Sequence, residues 1–324
     1  MGRGFRETQK RQTTVKPEQV AHPPALPRRR WSTIGLVVVL VALVICGIWY
    51  FTSSGYRQAK AVAELEALDA IVFYDYSHNS KADEVAPAGP SHWEELLGQD
   101  FFYPVVWVRL NETAIRAEEL ALLHDLSGLK RLTLGESTRD RGMETVAQLT
   151  QLNSLSLLDS SVTANGMQKL ASLPNLTFFA CTGPQITDDH LQAITKWPNL
   201  SSLYLSDAHI SDEGAKQLTH FPHLHELRLD GTLVSDASLE SIGKLTELKI
   251  LWLSNTSIKG TGFKQLTHLN QLKELHLDGT ALNLENLDSL TSLHQLEQLN
   301  LDNTNVTRRV KRSLGLKMPN TSID

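Results

Sequence analysis

Large apolar residues recur along this chain in a long, regular pattern. The signature L-x-x-L-x-L begins at Leu129, Leu152, Leu176, Leu200, Leu224, Leu248, Leu272 and Leu296, with Val105, Val108 and Leu110 as an earlier variant. The interval is 24 residues from Leu152 onward and 23 between Leu129 and Leu152. Ten positions into the units stand Ile115, Val162, Ile186, Ile210, Val234, Ile258, Leu282 and Val306. A further apolar set follows at steps of three, as in Leu239, Ile242 and Leu245. The alternation predicts a short strand whose +3 and +5 residues face one way and whose +2, +4 and +6 residues face the other. The step of three predicts a short helix with one apolar face.

A single unit of this kind cannot bury its own apolar faces, but stacked units share a continuous core. The repeat therefore predicts an α/β solenoid of about nine coils over residues 105–324, with a parallel sheet inside and short helices outside. Ser or Thr at +11 (Thr163, Thr187, Ser211, Ser235, Thr307) is expected to cap each helix. Thr at +8 (Thr113, Thr232, Thr256, Thr280, Thr304) is expected to bond the neighbouring coil's backbone. The unit from Leu129 lacks one residue and brings Arg139 to the Val/Ile position, which predicts an irregular loop. Cys181, at a +5 position, reads as a small buried hydrophobe.

Upstream, Ile34 to Phe51 holds no charge. As a helix it would span roughly 27 Å, close to the hydrocarbon thickness of a bilayer. Trp31, Trp49 and Tyr50 suit the two interfaces, and Arg28, Arg29 and Arg30 before the run place the N-terminus in the cytoplasm. A cleaved signal peptide is the rival reading, with Ala59-Lys60-Ala61 as its small-x-small site. Residues 57–69 read as a helix and Ala70 to Tyr76 as a strand, followed by a polar connection over 79–90. Ser91 and Glu94 form a capping-box pattern ahead of Trp93, Leu96 and Leu97, expected to cover the first coil. The expected organisation is a disordered basic cytoplasmic tail (1–33), a transmembrane anchor (34–51), a juxtamembrane segment and N-terminal cap (52–104), and the repeat domain with its C-terminal cap strand (105–324).

Charge sharpens this division. The net charge of −5 over 324 residues conceals +6 on residues 1–33, which leaves −11 on the remainder. Two cysteines, Cys46 and Cys181, exclude a disulfide-stapled scaffold and a four-cysteine zinc site.

The units LRLDGTLVSDASLESIGKL and LYLSDAHISDEGAKQLTHF resemble the 24-residue bacterial leucine-rich repeats of the L-x-x-L-x-L-x-x-T-x-V-T-D-x-G-L type. The flanks AVAELEALDAIVFYDY and HWEELLGQDFFYPVVWVRLNET, with the terminal KMPNTSI, resemble those of membrane-anchored leucine-rich repeat proteins of planctomycete-type bacteria. The resemblance runs from about residue 57 to the C-terminus. It implies a right-handed horseshoe fold and carries no single function.

No phosphate loop, dinucleotide fingerprint, H-E-x-x-H or G-x-S-x-G occurs, so the chain reads as non-catalytic and without a cofactor. His220, His223 and His225 fall at coil ends, where surface turns account for them without a metal. Asp230-Gly231, Asp278-Gly279 and Asp302-Asn303 read as turns. The +4 row is more pointed: Tyr204, Arg228, Trp252 and His276 come side by side on the concave face. Glu226, Ile250 and Glu274 flank them at +2, and Asp230 and Asp278 at +6. Aromatic residues around an arginine, rimmed by acids, have the composition of a protein-binding hot spot. Arg308, Arg309, Lys311 and Arg312 form a basic run on the last coil. The expected function is non-catalytic binding of a protein or cell-envelope polymer, with the bilayer as the other partner and no role for nucleic acid. The repeat domain is expected outside the cytoplasm. A structural or adhesive envelope scaffold is the alternative, and an adaptor of a ubiquitin-ligase-like complex a more distant one.

Overall fold

The computed structural model describes residues 33–75, 99–101, 103–110 and 115–324. The basic tail, the 79–90 connection, the capping-box segment at Ser91 and Glu94, and Thr113 lie outside the described residues. Residues 1–49 and 50–324 form two separate units.

In the first unit the described residues belong to α1, Thr33–Glu66, and the side chains from Val37 to Trp49 are exposed. Among the described residues α1 is the one helix long and apolar enough to cross a membrane, its most apolar 18-residue stretch having a mean hydropathy of 2.2. The sequence reading separates the apolar run from the 57–69 helix, whereas the backbone stays helical from one into the other. Thr52 to Gly55 contains no proline to break it. The helix stops where Asp69 turns left-handed (φ 57°) and the Ala70 amide returns to the Leu65 carbonyl at 3.0 Å.

In the second unit, Ala61, Val62 and Leu65 of α1 are buried in the solenoid core and cover its first layer. Buried Gln58 joins them by donating to the carbonyls of Asp100 (2.5 Å) and Tyr103 (2.8 Å). Strand β1 (Ile71–Tyr74) then runs antiparallel to β2 (Val105–Leu110). From β2 each strand pairs in parallel with the next: β3 (Arg131–Leu134), β4 (Ser154–Leu157), β5 (Phe178–Cys181), β6 (Ser202–Tyr204), β7 (Glu226–Arg228), β8 (Ile250–Trp252), β9 (Glu274–His276), β10 (Gln298–Asn300) and β11 (Ser322–Ile323). The result is a long mixed sheet of eleven strands in chain order.

The strands are in register with the repeat. Leu203, Leu227, Leu251 and Leu275 face one another at +3, and Leu205, Leu229, Leu253 and Leu277 are buried beside them at +5. The return segments include short α-helices: α2 (Asp140–Val146), α3 (Ala164–Lys169), α4 (Asp188–Ala193), α5 (Asp212–Ala215), α6 (Leu239–Ile242) and α7 (Arg308–Lys317). In later coils 3-10 helices take over, at Phe263–His268 and Leu284–Ser292. Their apolar residues at steps of three match the three residues per turn of that helix.

At the strand ends Asp159, Gly183, Asp207, Gly231, Asn255, Gly279 and Asn303 all occupy +7 and all have positive φ, between 50° and 102°. This bears out the turn reading of the Asp-Gly pairs. Asx and Gly alternate because the Asx side chain of one coil lies on the next coil's glycine; a Cβ on Gly279 would sit 2.1 Å from Asn255 Oδ1. The unit from Leu129 is irregular, as expected. It has no left-handed residue, buried Thr138 enters the Val/Ile row with its hydroxyl unpartnered, and Arg139 is exposed.

One expectation is corrected. The +8 threonines bond their own coil: Thr232, Thr280 and Thr304 donate at 2.5 Å to the carbonyls of Leu229, Leu277 and Leu301. The next coil donates no backbone bond to these carbonyls, which the threonine hydroxyls therefore help to satisfy. The +11 hydroxyls cap at Ser211 and Ser235, accepting from Glu213 and Ala237 amides, whereas Thr163 and Thr307 hold the N-cap position without such a bond. The two serine hydroxyls also donate to Asp188 and Asp212 of the preceding coil.

Candidate functional site

A parallel in-register sheet places equivalent residues of successive coils about 4.8 Å apart. The +4 register therefore brings Ala180, Tyr204, Arg228, Trp252, His276 and Asn300 into one row on the concave face. The middle of that row is a continuous stack. The Arg228 guanidinium carbon lies 4.2 Å from the Tyr204 ring centroid and 4.7 Å from that of Trp252. Trp252 and His276 stack with centroids 3.6 Å apart and planes 10° apart. Phe178 closes the other end, meeting Tyr204 edge to face at 4.9 Å.

The flanking acids hold different positions. Glu226 pairs with Arg228 at 2.9 Å, which fixes the guanidinium between the two rings. Glu274 comes within 3.7 Å of His276 Nε2, beyond hydrogen-bond distance. Asp278 accepts from the Ser254 hydroxyl at 2.5 Å. Ile250 is half-buried between Glu226 and Glu274, its partners in the adjacent strands. All nine expected residues thus lie on one stretch of the concave surface.

Burial shifts two of these groups. The Tyr204 hydroxyl is pushed up to about 12, first by burial and then by Glu226. His276, only 4% exposed, is held below its ordinary value by burial, against the opposing pull of Glu274 and Asp278. Four polar atoms here are buried without a partner among the described residues: Asp230 Oδ1, Trp252 Nε1 and both ring nitrogens of His276. Unpaired buried polar atoms are costly, so each of these calls for a partner from outside the chain, an ordered water or a bound group.

The sequence reading missed a second part of this face. A groove of about 360 Å³ is lined by Trp107, Arg131, Thr133, Ser154, Ser156 and Phe178. Trp107 stacks on Phe73 of the antiparallel strand at 4.4 Å and donates from Nε1 to Thr133 at 3.2 Å. The signal was available: Trp107, Arg131, Ser154 and Phe178 are the +2 residues of their strands, and the small +4 residues Thr133 and Ser156 leave the space between them. A larger groove of about 710 Å³ on the helical side, between α3 and α4, exists because Ala164, Ala171 and Ala193 are small. It contains none of the concave residues.

The three histidines are surface groups. His220 meets the Gln217 carbonyl at 3.0 Å, and His223 lies 3.2 Å from Glu247. Among the described residues no cluster of ligating side chains could hold a metal. Ser201, His225 and Glu247 do line up as hydroxyl, imidazole and carboxylate, at 2.8 and 3.7 Å. The amides around them, those of Ser201, Ser202, His225 and Glu226, all donate to carbonyls of the preceding coil. None of these four amides is free to stabilise an oxyanion.

Searches against family models and against curated proteins find no match. Among solved structures, similarity extends to an internalin of Listeria monocytogenes at 22% identity and TM-score 0.49, over 67% of this chain and 65% of that one. It extends also to a leucine-rich repeat protein of Leptospira interrogans at 19% identity and TM-score 0.47, over 67% and 59%. Internalin C2 of Listeria monocytogenes matches at 20% identity and TM-score 0.50, over 65% of this chain and 84% of that one. The chain thus spans less than two thirds of the first two proteins. What it shares with internalin C2, at 20% identity, is the fold, which the repeat and the strands in chain order make a leucine-rich repeat solenoid.

Proposed function

We propose that this chain is a single-pass membrane protein whose repeat domain, outside the cytoplasm, binds a protein or envelope polymer through its concave face without catalysing a reaction. The observation that carries the binding role is the Tyr204–Arg228–Trp252–His276 stack, with its buried and unpartnered Trp252 Nε1, Asp230 Oδ1 and His276 nitrogens. A row that only served the fold would do better with small residues or with every polar atom paired. The anchor rests on the uncharged run Ile34 to Phe51, the arginines before it and the exposed apolar side chains from Val37 to Trp49.

The test is a photocrosslinker at Ile250 in intact cells, followed by mass spectrometry. One defined adduct, lost in the Arg228→Ala/Trp252→Ala double variant while circular dichroism and melting stay unchanged, supports the reading. Adducts unaffected by the double variant refute it. Crosslinks solely to other copies of the chain would make the protein an envelope scaffold instead.

A further inference from the structure

Helix α7 closes the solenoid, and it begins with two arginines where several other helices begin with acids. α2, α4 and α5 each carry acidic residues in the first turn, which suits the positive end of the helix dipole. α7 has none there and begins instead with Arg308 and Arg309. Lys311 and Lys317 are neutralised by Asp302 at 3.2 Å and Asp288 at 2.7 Å. Arg308, Arg309 and Arg312 have no acidic partner among the described residues, on a domain that is otherwise acidic.

At about 100° per residue these three arginines and Leu316 share one arc of roughly 100°. That arc lies opposite Leu314, which is buried in the core. Leu316 is 83% exposed, the most exposed large apolar side chain among the described residues. A soluble polyanion would be satisfied by the arginines alone and would leave the leucine in water. A bilayer with anionic headgroups satisfies both, with guanidinium groups at the phosphates and the leucine at the acyl boundary.

We propose that α7 is a second membrane contact, docking the C-terminal cap of the solenoid on an anionic bilayer through Arg308, Arg309, Arg312 and Leu316. The proposal relies on the anchored reading only for a bilayer within reach.

The test uses the full chain carrying Cys46→Ala, with a nitroxide attached through Ser313→Cys beside the arc; Cys181 is buried and escapes labelling. Vesicles of phosphatidylcholine mixed with phosphatidylglycerol should shield the label from a water-soluble relaxant and expose it to oxygen. Phosphatidylcholine alone should not, and about 1 M salt, with a Debye length near 3 Å, should reverse the effect. Arg308→Gln, Arg309→Gln and Arg312→Gln together should lower the membrane-contacting population on the order of a hundredfold. A label that stays in water with anionic vesicles overturns the proposal, as does equal shielding by neutral lipid. So does shielding by dextran sulfate and not by vesicles. Alkaline carbonate extraction reports separately whether α1 inserts, so failure of the anchor reading and failure of this one give different results.

Discussion

The carboxylate of Asp212 accepts the Ser235 amide at 2.7 Å and the Ser235 hydroxyl at 2.5 Å, joining residues 23 positions apart. The same two-pronged clasp joins Asp140 to Thr163 and Asp188 to Ser211. Each aspartate begins one coil's helix, and each hydroxyl residue stands at the N-cap position of the next. The serine-aspartate pairs that look local in sequence therefore tie the coils to one another. This is the nearest-neighbour coupling that a solenoid needs for cooperative folding.

Asp212→Ala should cost about 2 kcal/mol, since it removes three charge-assisted bonds from a half-buried carboxylate, the third from the Ser238 amide, and leaves the Ser235 amide unpaired. Asp189→Ala, at an exposed site in the first turn of α4, should cost less than about 1 kcal/mol. Urea denaturation of the two variants checks the difference. Equal losses would mean that the clasp contributes no more than the helix dipole does.

The Asx–Gly alternation makes a coupled prediction. Gly279→Ala introduces a Cβ at φ 71° and 2.1 Å from Asn255 Oδ1, so it should cost about 3 kcal/mol. In an Asn255→Gly background the collision is gone and only the left-handed strain remains, about 1 kcal/mol. The double-mutant cycle should show coupling of about 1–2 kcal/mol. Additive costs would place the strain within Gly279 itself.

Most of the fold was legible because a solenoid repeats one local decision. A period of 24 residues fixes both strand register and the inward positions, so Leu227 had to face Leu203 and Leu251. The aromatic stack followed by the same arithmetic, since adjacent +4 residues in register must touch. Bonds between side chains and backbone were harder to read. Thr232 could reach either its own coil or the neighbour, and geometry alone decides for Leu229. The groove at Trp107 escaped because it depends on the shortness of Thr133 and Ser156 between two larger residues. A gap of that kind has no positive signature in any one repeat.

Cys181 takes a +5 core position that leucine fills in the units from Leu200 to Leu296, and burial pushes its thiol well up from the ordinary range. In the folded chain it should resist alkylation at pH 8 and react only on unfolding. Mass spectrometry after iodoacetamide treatment, with and without denaturant, measures this. Modification without denaturant would mean that β5 opens locally.

His276 makes stability depend on pH in a defined direction. Burial lowers its folded-state value, so the unfolded chain binds the proton more readily. Its contribution is fully present above about pH 6.5, the unfolded value, and is lost as the pH falls below it. The groups around it divide: Glu274 and Asp278 favour the charged ring, while Arg228 disfavours it, and burial outweighs them all. His276→Phe keeps a ring stacked on Trp252 but does not titrate. The stability difference between wild type and variant should be flat above pH 7. Below pH 6.5 it should move in the variant's favour, by at most about 1.4 kcal/mol per pH unit. Denaturation curves across pH 5–8 measure that difference while cancelling the other histidines. A shift in favour of the wild type at low pH would mean that Glu274 and Asp278 hold His276 protonated in the folded state, and that the aromatic stack ends in an ion pair.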